Sequence, residues 1–183
     1  MKKSILAIAI FAITLISSTE ISAQKFPKLD LSPLDAASYP SSYKISDKVV
    51  KVVYGRPQLK GRDLAKLAPN DKVWRTGANE AAEITFYKDV TFGGKAVKAG
   101  TYSLFTIPSS EGDWIVILST ARNVWGSYFY KQDEDVVRVS GKISKSEKSI
   151  EAFSMLFDKN MTLKMGWENT VVSVPITLAG LED

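Results

Sequence analysis

The stretch FSMLFDKNMTLKMGWENTVVSVPI, residues 153–176, decides the fold class of this chain. Apolar and polar residues alternate on both sides of residues 158–160, as is typical of antiparallel strands with one buried face. A three-residue turn there places Phe157 opposite Met161. The apolar side chains of both strands then lie on the same side of one hairpin.

A second turn is predicted at residues 169–170. It places Trp167 opposite Val172 and Met165 opposite Val174, so that the apolar face continues onto a third strand. Because one register keeps the apolar side chains together across three strands, this segment predicts an antiparallel meander.

The rest of the chain predicts further strands. They are runs rich in β-branched or aromatic residues: Val49–Tyr54, which ends at Gly55, Glu83–Tyr87, Val90–Val97 turning at Gly93-Gly94, Ala99–Pro108 and Asp113–Ser119. The last run is almost wholly apolar, so both of its faces are expected to be covered.

Residues 61–72 predict the one short helix, which Pro69 ends. Together these patterns predict an all-β protein, an antiparallel β-sandwich of roughly nine or ten strands with at most one short helix. An up-and-down barrel is the alternative.

Three segments are expected along the chain. Residues 1–23 combine a basic start, an apolar run too short to span a bilayer and a small-residue end, which predicts a signal peptide. Residues 24–47 predict an extended N-terminal arm, and residues 48–183 a single β-sandwich domain. We therefore expect an exported, soluble protein without a transmembrane segment, in the periplasm or alternatively on the outer surface or outside the cell.

The composition excludes several kinds of chemistry. The chain has no Cys and no His, which removes disulfides, Cys nucleophiles, Ser-His-Asp triads and ordinary zinc sites. The net charge is +4, from 24 Lys and Arg against 20 Asp and Glu, and the basic residues are scattered. No nucleic-acid partner, no cofactor and no metal site are predicted.

Five motifs resemble one known family. They are YGRPQLKGRDL, KVWRTGANEAAEITF, KAVKAGTYSLFTIP, DWIVIL and WENTVVSVPI. They are similar to the bacterial domain-of-unknown-function family numbered 2911, which is common in exported Bacteroidetes proteins. The resemblance implies export and a Bacteroidetes origin. It carries no established activity.

The corner KVWRTGANE contains the first candidate site. In one interpretation Trp74 is a stacking platform and Arg75 a charged donor, and Asn79 and Glu80 form a polar rim for a sugar-like or carboxylated ligand. In the other, Trp74 is a core residue, Arg75 pairs with a carboxylate, and Thr76-Gly77 makes a turn with positive φ at the glycine.

Arg56 and Arg62 are candidates for binding a carboxylate or phosphate, because an arginine fork holds such groups bidentately. A structural ion pair with Glu80 or Glu83 is the interpretation that we favour.

The loop after the apolar strand gives another candidate. Trp125, Tyr128 and Tyr130 resemble the aromatic lip of a carbohydrate-binding groove. The alternative is a loop that tucks its aromatic side chains under the edge of the sandwich. Residues 133–135 are three acidic residues in a row and predict a solvated loop, since their spacing fits no calcium motif.

These observations predict a non-catalytic, exported β-sandwich that binds a small ligand, a glycan or an envelope partner. One alternative is a glycan-active enzyme that uses two carboxylates, with Glu80, Glu83, Asp113 and Glu168 as nominal candidates. The other is a purely structural envelope component.

Overall fold

A computed structural model describes residues 25–180 of the chain, so the predicted signal peptide lies outside the described residues. The described part has ten strands: β1 (Leu34–Tyr39), β2 (Val50–Gly55), β3 (Ala82–Phe86), β4 (Val90–Phe92), β5 (Lys95–Val97), β6 (Gly100–Ile107), β7 (Trp114–Ser119), β8 (Asp135–Phe157), β9 (Leu163–Val174) and β10 (Ile176–Leu178). Helix α1 is Leu64–Leu67, shorter than predicted, and a 3₁₀ turn covers Gln132–Glu134. The all-β prediction is confirmed.

The strands form two antiparallel sheets. The large sheet has the order β1-β2-β3-β6-β7-β8-β9, and the small sheet has the order β10-β4-β5. The large sheet is curled, so that the far end of β8 lies against the segment that follows β2. There the Phe153 N–H donates to the Pro57 carbonyl oxygen at 2.9 Å. Phe86 and Phe92 pack together between the sheets, with ring centroids 6.0 Å apart. The predicted sandwich is therefore confirmed.

Strand β7 lies inside the large sheet with both faces covered along most of its length. Val116 and Leu118 belong to the main core. Ile117, on the opposite face, packs in a second cluster with Ala81 and Phe105. The prediction of a strand buried on both faces is confirmed, apart from one exposed isoleucine near its start.

The first predicted hairpin turn has the wrong length. Phe157 pairs with Leu163, two residues beyond the predicted partner, so the connection is a five-residue loop. The Asp158 carboxylate organises this loop by accepting the N–H groups of Asn160 at 2.9 Å and Thr162 at 3.0 Å. Because a two-residue shift preserves the alternation of faces, the apolar face stays intact.

The second predicted turn, at residues 169–170, is wrong. Strand β9 runs through it without a break, and Glu168 has a φ of 53°. The register with β8 shifts at the same place. Such an irregularity changes which alternate residues face the core, so Trp167 and Val172 are both buried. The alternation pattern that predicted a turn at residues 169–170 is therefore explained by a bend within strand β9.

Two other segments differ from their predictions. Residues 144–149, which none of the predicted strands includes, form the mostly exposed middle of β8. Part of the predicted arm forms β1, which pairs with β2 along its whole length. This part of the arm therefore belongs to the large sheet. Among residues 25–180, no helix has the length and the apolar character needed to cross a membrane.

Candidate functional site

Trp74 is a core residue. Its side chain is only 5 % exposed and stacks on Trp167, with the ring centroids 5.5 Å apart. Phe153 meets it edge to face at 5.1 Å and Trp114 at 6.5 Å. A ligand on the protein surface cannot stack on this ring, so the interpretation of Trp74 as a binding platform is corrected.

The corner after Trp74 turns through two non-glycine residues. Thr76 has a φ of 53° and Asn79 a φ of 64°. The positive φ values therefore occur at residues before and after Gly77, and not at Gly77 as predicted. Gly77 is favoured for a different reason, because a Cβ atom there would make a tight contact of 3.0 Å with the carbonyl oxygen of Gly55. Two stretches of backbone therefore touch at this corner.

Arg56 forms the predicted kind of structural ion pair with a different partner, whereas Arg62 donates to the backbone oxygens of Leu59 at 2.9 Å and Gln58 at 2.7 Å. Arg56 donates to the Asp35 carboxylate at 3.0 Å, to the Phe153 carbonyl at 3.0 Å and to the Ser154 hydroxyl at 2.6 Å. The predicted partners Glu80 and Glu83 are not involved. Arg56 thus ties β1 and β2 to β8, and its donors are occupied by the fold.

Arg75 is half-buried, and its predicted carboxylate partner is absent within the described part of the chain. Its Nε atom is buried without a hydrogen-bond acceptor in residues 25–180. Its carbonyl oxygen accepts the Ala82 N–H at 3.0 Å, which closes the corner.

The aromatic loop, residues 123–130, is fixed to this corner. Four hydrogen bonds join the two segments: Asn123 N–H to Glu83 Oε1 at 2.8 Å, Ala81 N–H to the Val124 oxygen at 2.9 Å, Gly126 N–H to the Asn79 oxygen at 2.9 Å, and Ser127 hydroxyl to the Val73 oxygen at 2.9 Å. The corner therefore acts as the support of the loop.

Three large side chains of the aromatic loop face solvent. Trp125 is 56 % exposed, and Tyr128 and Phe129 are each 77 % exposed. Tyr130, by contrast, packs on Phe105 with ring centroids 5.2 Å apart. The tucked arrangement describes Tyr130, whereas Trp125 and Tyr128 form an exposed lip. Phe129 was missed by sequence reasoning, although its position among aromatic residues was a usable signal.

A groove lies at the foot of this loop. Trp125 and Glu80 meet as an isolated β-bridge. The groove has a volume of about 230 Å³, and Glu80, Glu83 and Asn123 supply its polar side chains. The structure thus pairs Glu80 with Trp125, and the Asn79 carbonyl oxygen holds the loop. Arg56 and Trp74 make their contacts elsewhere in the fold.

A second concave surface, which we call the cleft, lies at another edge of the sandwich. Its volume is about 510 Å³. Helix α1, the connection between β6 and β7, and the bend of β8 and β9 enclose it. Its lining residues are Asp63, Leu64, Ala65, Ala68, Asn70, Ser109, Ser110, Gly112, Asp113, Trp114, Ile143, Glu168 and Thr170. Asp113 and Glu168 are both among the carboxylates named from the sequence, where no spacing pairs them. They line one cleft because β9 bends at Glu168.

Asp113 is held as a carboxylate. It accepts hydrogen bonds from Lys142 Nζ at 2.6 Å, the Ser140 hydroxyl at 2.8 Å and the Ile143 N–H at 3.1 Å. The hydrogen bond from Lys142 is the largest cause that lowers the pKa of Asp113 to about 2. At neutral pH this side chain therefore carries no proton to donate.

The low pKa of Asp113 predicts a pH dependence of stability. Its folded value of about 2 lies below the ordinary 3.8, so its contribution is present above pH 3.8 and is lost as the pH falls toward 2. Between about pH 5 and pH 2, the urea midpoint should fall more in the wild type than in Asp113→Asn. Asp133→Asn, which changes an exposed acid, should behave like the wild type. Equal falls in the wild type and Asp113→Asn would contradict the assignment.

The acidic residues 133–135 are not all solvated as predicted. The Asp135 side chain is 7 % exposed, and it accepts hydrogen bonds from Arg138 Nε at 2.7 Å and the Tyr130 hydroxyl at 2.7 Å. It therefore anchors the end of the aromatic loop. Within residues 25–180, no group of three or more acidic side chains is arranged to hold a metal ion.

Comparison with known proteins gives one match. A family model described as a protein of unknown function, DUF2911, matches residues 32–176. No curated protein and no solved structure matches the chain.

Proposed function

Since the chain belongs to the DUF2911 family, whose description gives no activity, we propose from its geometry that it is an exported, non-catalytic β-sandwich that binds glycans through the aromatic loop. The observation that carries the proposal is the exposure of Trp125, Tyr128 and Phe129 on a hydrogen-bonded loop. Export is proposed from the pattern of residues 1–23, and a Bacteroidetes origin remains a prediction from the motifs.

Exposed aromatic side chains in one short loop are costly unless they bind something. Contiguous exposed apolar patches on proteins mark interaction sites. One aromatic side chain of the loop, Tyr130, packs on Phe105, whereas the other three are exposed to solvent. The hydrogen bonds to the corner hold the loop in one conformation, so less entropy is lost when a ligand binds. Both features are expected of a preformed binding surface.

The neighbouring groups favour a glycan. A sugar presents C–H groups that pack on a flat aromatic ring and hydroxyl groups that donate hydrogen bonds. Glu80 pairs with Trp125 in an isolated β-bridge, and its exposed carboxylate offers acceptors for such hydroxyls. Glu83 and Asn123 add polar atoms in the adjoining groove. A stacking platform beside hydrogen-bond acceptors suits a neutral saccharide.

The enzymatic alternative needs two carboxyl groups across a cleft, one of which carries a proton. Asp113 and Glu168 do line the same cleft. Asp113, however, is kept ionised by the hydrogen bond from Lys142, which lowers its pKa. It therefore carries no proton to donate, and both of its oxygens already accept hydrogen bonds, so neither is free to act as the nucleophile or base. Binding without catalysis is the function that we propose.

Trp125→Ala is expected to weaken glycan binding about thirtyfold, the loss typical of a central aromatic contact. The measurement is isothermal titration calorimetry of residues 24–183 against soluble cell-envelope oligosaccharides and peptidoglycan glycan fragments. Tyr87→Ala is the matched control, since Tyr87 is an exposed aromatic residue outside the loop, and it should bind like the wild type. Unchanged affinity in folded Trp125→Ala, or no binding to the wild type across these saccharides, would refute the proposal.

A further inference from the structure

The cleft has the dimensions of a ligand site. Its volume of about 510 Å³ falls within the range of small-molecule pockets. Three segments distant in sequence enclose it, and Leu64, Trp114 and Ile143 give it an apolar wall. Trp114 also contacts Trp74 of the aromatic core, so this wall is anchored to the packed interior at Trp114. Most of the other lining residues are half-buried or exposed.

The charged residues that line the cleft are all acidic. Asp63, Asp113 and Glu168 line it, and the lining contains no Lys or Arg. The whole chain nevertheless has a net charge of +4. This concave surface of a chain with a net positive charge is thus lined by acidic residues, and its field favours a cation.

The three carboxylates are not equally neutralised. Lys66 lies 3.4 Å from Asp63, and Lys142 lies 2.6 Å from Asp113. Within residues 25–180, no Lys or Arg nitrogen approaches the Glu168 carboxylate within the 4.0 Å of an ion pair. Glu168 is half-buried and therefore brings an uncompensated negative charge to the wall of the cleft.

The cation that fits is organic. In the part of the chain that the structure describes, no three acidic side chains are grouped closely enough to hold one metal ion. A primary ammonium group has three N–H donors, which suit carboxylates and hydroxyls spread around a cavity. The remainder of such a molecule would contact the apolar wall of the cleft.

We propose that the cleft binds a small molecule with a primary ammonium group, and that Glu168 is its main counter-charge. The site is separate from the aromatic loop and does not depend on the proposed glycan binding. An amino sugar and a lysine-type amine share this chemistry, so both are tested as sources of the ammonium group.

The test is an NMR titration that follows the indole N–H signal of Trp114. The probes are glucosamine and Nα-acetyl-lysine amide, each beside a neutral counterpart, glucose and Nα-acetyl-norleucine amide. At least one ammonium probe should bind about tenfold more tightly than its counterpart, and Glu168→Gln should remove about the same factor, as a lost charged hydrogen bond does. Glu147→Gln, an exposed acid outside the cleft, is the matched control.

A second variant covers the case in which Glu168→Gln fails to fold. Ser110 is exposed at the rim of the cleft, so Ser110→Lys adds a competing ammonium group without disturbing the core. It should abolish the shift of the Trp114 signal with the probe that binds. Equal affinity for the charged and neutral members of both pairs, or ammonium binding that survives both variants, would overturn the proposal.

Discussion

Trp74→Ala is expected to lower the free energy of unfolding by about 3–5 kcal/mol, as measured by urea denaturation. The indole is buried, stacks on Trp167 and meets Phe153 and Trp114 edge to face. Its removal takes apolar surface out of the core and leaves a cavity among rigid rings, which cannot collapse to fill it. The stacked and edge-to-face interactions of the indole disappear with it and add to the effect.

The matched control for Trp74→Ala is Trp125→Ala, the same change at an exposed position. Because the Trp125 ring is largely in solvent, its loss should change the free energy of unfolding by no more than about 0.5 kcal/mol. The two variants thus separate the two roles of tryptophan in this protein. A loss below about 1 kcal/mol in Trp74→Ala would contradict its placement in the core.

The contrast between these two tryptophans shows what the sequence could predict about the site. Both stand near a glycine and polar residues, so local sequence does not distinguish a core ring from a surface ring. Trp74 is buried by Phe153 and Trp167, which come from the opposite end of the chain. Burial is therefore decided by long-range packing that no local pattern expresses.

The strands themselves were predictable because alternation has a period of two. The same property explains the errors in pairing. A shift of two residues leaves every side chain on its face, so the alternation could not distinguish Met161 from Leu163 as the partner of Phe157. A bend with positive φ at Glu168 changes the alternation just as a two-residue turn would.

The cleft could not be predicted from the sequence, because it too depends on segments that are distant along the chain. Its walls come from α1, the connection after β6 and the bend at Glu168. That bend was interpreted as a turn, which would have placed Glu168 at the end of a hairpin. The carboxylates were visible as residues, whereas their meeting at one surface depends on the continuous course of β9.

Gly55→Ala is expected to lower the free energy of unfolding by about 3 kcal/mol, at the upper end of overpacking effects. A Cβ atom at Gly55 would overlap the carbonyl oxygen of Ala78, which belongs to the backbone and has no rotamer to adopt. A Cβ atom at the neighbouring Gly77 would also lie close to backbone, 3.0 Å from the Gly55 oxygen. The two segments must move apart, and this displaces Asn79 from the aromatic loop.

Gly112→Ala is the matched control, because a Cβ atom at Gly112 meets nothing within 4 Å and the change should leave stability within about 1 kcal/mol. Since Asn79 accepts the Gly126 N–H, Gly55→Ala protein that still folds should also bind glycans more weakly than Gly112→Ala. Urea denaturation and calorimetry measure the two effects separately. If Gly55→Ala were as stable as Gly112→Ala, the close backbone contact would be disproved. If it were destabilised yet bound glycans like the wild type, the corner would support the fold without positioning the loop.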